Sequence, residues 1–155
     1  MALKSNFNEA RFAKDVERQA ETLYQKIINA FIYDAEAFIV NARGQIQDHA
    51  MGTYLDDTTN LRNSIGYFIF HNGELVHEKN EIVTNKSKIE EFVKPRGFQL
   101  ILIAGMNYAS FVESKGYNVI SYQADVCFVD LALHLENLEV LKEGSAAQLE
   151  ETFIP

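Results

Sequence analysis

The chain has 155 residues, 47% of them apolar and including eleven Phe and seven Tyr, so it can bury a core of its own and does not belong to the disordered class. Its formal net charge is -8, and the stretch from residue 121 onward holds seven of the 22 acidic groups but only one of the 14 basic ones. A surface of that sign repels a phosphate backbone and steers a basic protein face towards it, which argues against nucleic-acid recognition.

From Asn8 to Arg43 there is neither Gly nor Pro, and Phe12, Val16, Ala20, Leu23, Ile27, Phe31, Ala35 and Phe38 recur every three or four residues. That spacing predicts one long helix, started by an Asn6 and Glu9 capping box and stopped at Gly44. Its outer face alternates charge early on, with Arg11, Lys14, Asp15, Glu17 and Arg18. The later stretch KIINAFIYDAEAFIV is apolar around most of its circumference. At about 1.5 Å per residue such a rod is roughly 50 Å long, more than a domain of this size covers on all sides. Part of it is therefore expected to pack against another subunit, through Ile28, Phe31, Ile32, Phe38 and Ile39.

After a polar stretch, residues 57 to 65 read DTTNLRNSI, where Asp57 or Thr58 is expected to cap one short helical turn. Asn72-Gly73 then separates two strand-like runs, at 65 to 71 and 74 to 79, and favours the type I′ turn of a two-residue hairpin. In an unbroken ladder His71 faces Glu74 and His77 faces Phe68. Ser87 and Glu90 suggest a second capping box, for a short helix ended by Pro95. FQLILIAGM, at 98 to 106, is apolar on both faces and is expected at the centre of the sheet, with YNVISYQ, at 117 to 123, as its neighbour.

Between those two runs lies a short amphipathic turn that aligns Tyr108 with Val112 and is released by Gly116. Residues 124 to 142 repeat Val126, Val129, Leu133 and Leu141 at helical spacing, with a strand beginning at Val126 as the competing assignment. The expected fold class is α+β: a long amino-terminal helix on a small, mainly antiparallel sheet of about four strands, a short crossover helix and a carboxyl-terminal helix. Residues 1 to 143 form one domain and 144 to 155 an acidic tail.

No residue pattern carries an enzyme signature. Glu113 lacks a second titrating partner at any useful spacing, and Lys115 offsets its charge. His49, His71, His77 and His134 lack the short, defined spacing of zinc ligands, and Asp48, Asp56 and Asp57 lack the alternating oxygens and closing Glu of a calcium loop. Cys127, the single cysteine, has no partner for a disulfide and reads as a buried inert thiol in a protein of a reducing compartment. No cofactor, metal or small-molecule substrate is expected. Neither MALKSNFNEARF nor LILIAGM is an apolar run of the length a signal peptide or membrane helix needs, so a soluble, unexported protein is expected.

Two stretches together resemble the head-tail joining family of tailed bacteriophages, also called neck, minor tail or tail-completion proteins. Thr58, Leu61, Ser64 and Ile65 match its first element, with Thr59 where the family has glycine. Tyr108, Ala109, Val112, Glu113 and Gly116 match its second, and the resemblance spans residues 8 to 120. It implies a structural virion protein, present as a ring between capsid connector and tail, made in the host cytoplasm and performing no chemistry. Its implied partners are further copies of itself and the neighbouring connector or tail proteins. The residues taken alone support two other readings: a small enzyme or ligand-binding domain using Glu113, Tyr108 and His71, or an oligomerisation domain unrelated to phage.

Overall fold

The computed structural model describes residues 8–44, 60–80, 86–106, 109–115 and 119–138. The expectations placed on Asn6, on His49 and the aspartates at 48, 56 and 57, and on the tail at 144–155 lie outside the described residues.

Helix α1 (Glu9–Gly44) runs unbroken for 36 residues, as its spacing predicts. Asn8 caps it, its Oδ1 accepting the Arg11 N–H at 3.0 Å. At the far end Arg43 sits in the last turn, where a cation suits the helix dipole, and its Nη2 donates to the Ile65 carbonyl oxygen at 3.1 Å. One turn of helix, α2 (Asn60–Asn63), leads through Ser64 into strand β1 (Ile65–His71).

Strand β1 and strand β2 (Glu74–Lys79) form the expected hairpin, and Asn72 (φ 52°) and Gly73 (φ 85°) take the positive φ of a type I′ turn. The ladder begins His71↔Glu74 and then slips: Val76 is an extra residue on β2, so His77 pairs with Ile69 rather than with Phe68. Strand β3 (Phe98–Ala104) pairs antiparallel with the other side of β1. The sheet therefore has three strands, in the order β2-β1-β3, with β1 at its centre. The expected central position of the 98 to 106 run is corrected: β3 is apolar on both faces because each face of the sheet has its own core, and it needs no second strand neighbour.

The expected fourth strand is instead the start of a helix. Val119 and Ile120 drop into the core, and α5 (Ser121–Asn137) follows at once, with Ala124 donating its N–H to the Ile120 carbonyl oxygen at 2.8 Å. Ala124, Cys127, Leu131 and Leu135, spaced by three and four, place one face of α5 in the core, which settles the helix against the competing strand. Of the two shorter helices, α3 (Lys86–Glu90) begins before Ser87, which is therefore inside the helix and not its cap. Helix α4 (Ala109–Ser114) is the expected short helix; it links β3 to α5 and crosses to no further strand.

One face of the sheet, carrying Ile65, Tyr67, Ile69, Leu100 and Leu102, shares a single core with α1 from Ile27 onward and with α5. On the other face Phe68, Phe70, Ile101 and Ile103 pack with Ile89 of α3 and Val93. Among the described residues no helix is long and apolar enough to cross a membrane.

Candidate functional site

The two motifs that carry the family resemblance meet at one end of the sheet. Leu61, Ser64, Ile65 and Ala109 are all buried there. The Ser64 hydroxyl donates to the Leu61 carbonyl oxygen at 2.8 Å, and the Ser64 carbonyl oxygen accepts the Gly105 N–H at 3.0 Å, so the first element is stitched to the end of β3 just ahead of the second. Both elements are fasteners of the fold at these positions. Thr58, Tyr108 and Gly116, and the side chains of Val112 and Glu113, lie outside the described residues.

Four of the five residues expected at a subunit interface are corrected in position. Ile28, Phe31, Phe38 and Ile39 are buried within this chain's own core, and Ile32 is half-buried against it. The second half of α1 is apolar over so wide an arc because it faces the sheet and α5 together. The first half is different: no described residue of α1 before Ile27 is buried. Val16 keeps 47% and Leu23 39% of their surface in solvent, on the same stripe that becomes core further along, and Phe12 is exposed beside them. A second apolar stripe lies on α5. Val129 (60% exposed) and Leu133 (53%) stand on the side of α5 away from its core face, with Tyr122 in line with them. Nothing in the sequence reading singled out this stripe; the signal was the helical spacing of Val126, Val129 and Leu133, which places them opposite Ala124, Cys127 and Leu131 at about 100° per residue.

Two polar clusters flank α1, one on each side. Asp34 faces α5: only 3% exposed, its Oδ2 lies 2.7 Å from Nδ1 of His134. Burial pushes the Asp34 carboxyl above its ordinary range, against the opposing hydrogen bond and charge of His134. Because the folded value is raised, protonation of Asp34 favours the fold; that contribution is full below the unfolded value near 3.8 and fades as pH rises through the folded one. Beside it the Cys127 thiol donates to the Asp34 main-chain oxygen at 3.5 Å. Burial, with Asp34 and Asp130 nearby, pushes that thiol up to about 12, so it is neither a nucleophile nor a ready metal ligand at neutral pH.

Glu36 faces the sheet, accepting the buried Tyr67 phenol at 2.9 Å through Oε1 and the Lys79 ammonium through Oε2. His77 stacks on Tyr67 with ring centroids 5.8 Å apart. Burial raises the Glu36 carboxyl, but the hydrogen bonds from Lys79 and Tyr67 outweigh it and hold the group below its ordinary 4.5. A depressed carboxylate stabilises the fold above the unfolded value and loses that contribution as pH falls through the folded one. Glu36→Gln should therefore flatten the fall of the urea midpoint below about pH 4.5; a mutant whose acid limb retraces that of the wild type would refute the linkage.

The histidines do not converge. His71 stacks on Phe98 at 4.2 Å, His77 lies on Tyr67 and His134 is held by Asp34. Among the described residues no three His, Cys, Asp or Glu side chains are grouped as a metal site. Both clusters clamp α1, one to α5 and one to the hairpin. Comparison with protein-family models, with curated proteins and with solved structures finds no match.

Proposed function

We propose that this chain is a structural assembly protein, a ring-forming subunit at the junction between the capsid connector and the tail of a long-tailed phage or prophage. The observation that carries the assembly part is the first half of α1, a charged arm of about 25 Å that bears Val16 and Leu23 in solvent and contributes nothing buried to its own core. Isolated apolar residues on a surface are ordinary, but a row of them extending a core stripe past the end of its domain is the form of a surface built to be covered. The phage part rests on the resemblance of the two motifs, whose described members Leu61, Ser64, Ile65 and Ala109 come together around the β1 and β3 ends.

Deletion of the coding sequence from the genome that carries it, followed by electron microscopy of the lysate, tests the reading. Filled heads and separate tails are the expected result, with joining restored when the protein is supplied from a plasmid. Joined, infectious particles in normal number without the protein would refute it.

A further inference from the structure

We propose that the exposed arm of α1 in one copy lies along the outer face of α5 in the next, so that subunits join head to tail. The inference rests on the assembly reading above only for its premise that copies of this chain contact one another. The two surfaces are matched in length: Phe12 to Leu23 on α1 and Tyr122 to Leu133 on α5 each span 11 residues, about 16 Å of helix. Both run as helical stripes, Val16, Ala20 and Leu23 on the arm and Val126, Val129 and Leu133 on α5, so each offers ridges and grooves to the other.

Charge selects the pairing. Helix α5 carries Asp125, Asp130 and Glu136 and not one Lys or Arg, so two copies of its outer face would bring like charges together. The arm of α1 has the cations that α5 lacks, in Arg11, Lys14, Arg18 and Lys26. Lys26 borders the apolar stripe closely enough to meet an α5 carboxylate across the seam. A copy cannot make this contact with itself, because the opposite face of its α5 is the one packed in its own core with α1. Each copy thus gives an arm and receives one, the heterologous contact that closes into a ring or continues as a filament.

The test uses two variants of the full chain, Leu23→Glu on the arm and Leu133→Glu on α5, in sedimentation velocity over about 1–100 µM, the range in which a small interface associates. Both positions are exposed, so the far-UV spectrum and melting temperature of each variant should match those of the wild type. The wild type should associate with rising concentration, and either variant alone should remain monomeric. Mixed in equal amounts, they retain one intact junction, an arm from the Leu133→Glu copy on the α5 of the Leu23→Glu copy, and should give a 1:1 dimer and nothing larger. A monomeric wild type would overturn the proposal. So would association that Leu23→Glu abolishes and Leu133→Glu leaves alone, since the arm would then pair with itself or with another surface. Association untouched by both would also overturn it while leaving the head-tail reading intact, because that reading is decided by the lysate and not by which faces meet.

Discussion

Phe31→Asp should unfold the chain, not merely dissociate it. Phe31 is 1% exposed and its ring lies 5.7 Å from that of Phe98, between α1 and the sheet. Truncation of a buried Phe to Ala costs about 3–5 kcal/mol through lost transfer energy and the cavity left behind. Against a total stability of about 5–15 kcal/mol for a domain, that already removes a large share. A carboxylate at the same place adds the penalty of an unpaired buried charge, which is several kcal/mol more. The expected result is a coil-like far-UV spectrum or insoluble protein for Phe31→Asp. Phe31→Ala should stay folded, with its urea midpoint lowered by about 2 M for a chain of this size. Val16→Asp on the exposed arm of the same helix should leave the midpoint unchanged. A folded, soluble Phe31→Asp protein that had only lost association would mean that Phe31 sits between subunits, and the core drawn here would be wrong.

That contrast marks where the sequence could be read and where it could not. The length of α1 followed from the absence of Gly and Pro and from a stripe sustained at spacings of three and four, and the hairpin from Asn72-Gly73, because both signals are local and have a single geometric solution. The apolar circumference of residues 26 to 40 had two solutions. A helix flanked by a sheet and a second helix has the same composition as one flanked by a sheet and a neighbouring subunit, so Ile28, Phe31, Phe38 and Ile39 could be assigned to an interface as readily as to the core. The fourth strand failed for a related reason. Asn118 to Ser121 has β-branched residues at 119 and 120, but two buried residues before a helix satisfy the same pattern as a short strand. Nor does any residue announce the slip at Val76, since a bulge depends on how the hairpin twists against its neighbours. Of the candidate site, the absence of a converging catalytic or metal group was legible from spacing. The outer stripe of α5 was not, because its residues look like core until the other face of the helix is known to be buried.

The clamps on α1 explain how so long a helix is held by so small a sheet. Asp34 and Glu36 are two residues apart, so they point about 200° from one another around the helix axis, one towards α5 and one towards β1 and β2. Their carboxyls are shifted in opposite directions, Asp34 up by burial and Glu36 down by Lys79 and Tyr67. Mild acid consequently favours the Asp34 side and weakens the Glu36 side.

Gly66→Ala should loosen the sheet side of that clamp more than any polar substitution does. Gly66 lies in β1 opposite Ile103, and a methyl group placed on it would collide with the main-chain oxygen of Lys79 and come within 3.0 Å of the Asn80 Cβ. A flexible side chain can swing away from such an intrusion, but a carbonyl oxygen can yield only if the strand moves. The strand that would move is β2 at its Tyr67↔Lys79 pair, which positions the Lys79 ammonium on Glu36. Overpacking of this kind costs about 1–3 kcal/mol, which for a chain of this length lowers the melting temperature by about 3–10 °C. Displaced from Lys79, Glu36 loses the leading partner that holds its carboxyl low, so Gly66→Ala should also flatten the acid limb of stability as Glu36→Gln does. Gly44→Ala, where a methyl group meets nothing within 4 Å, is the matched control and should leave both measurements near the wild type. If Gly66→Ala melted with the wild type and kept its acid limb, β2 could not lie as close to β1 at Lys79 as described, and the hairpin side of the α1 clamp would have to be redrawn.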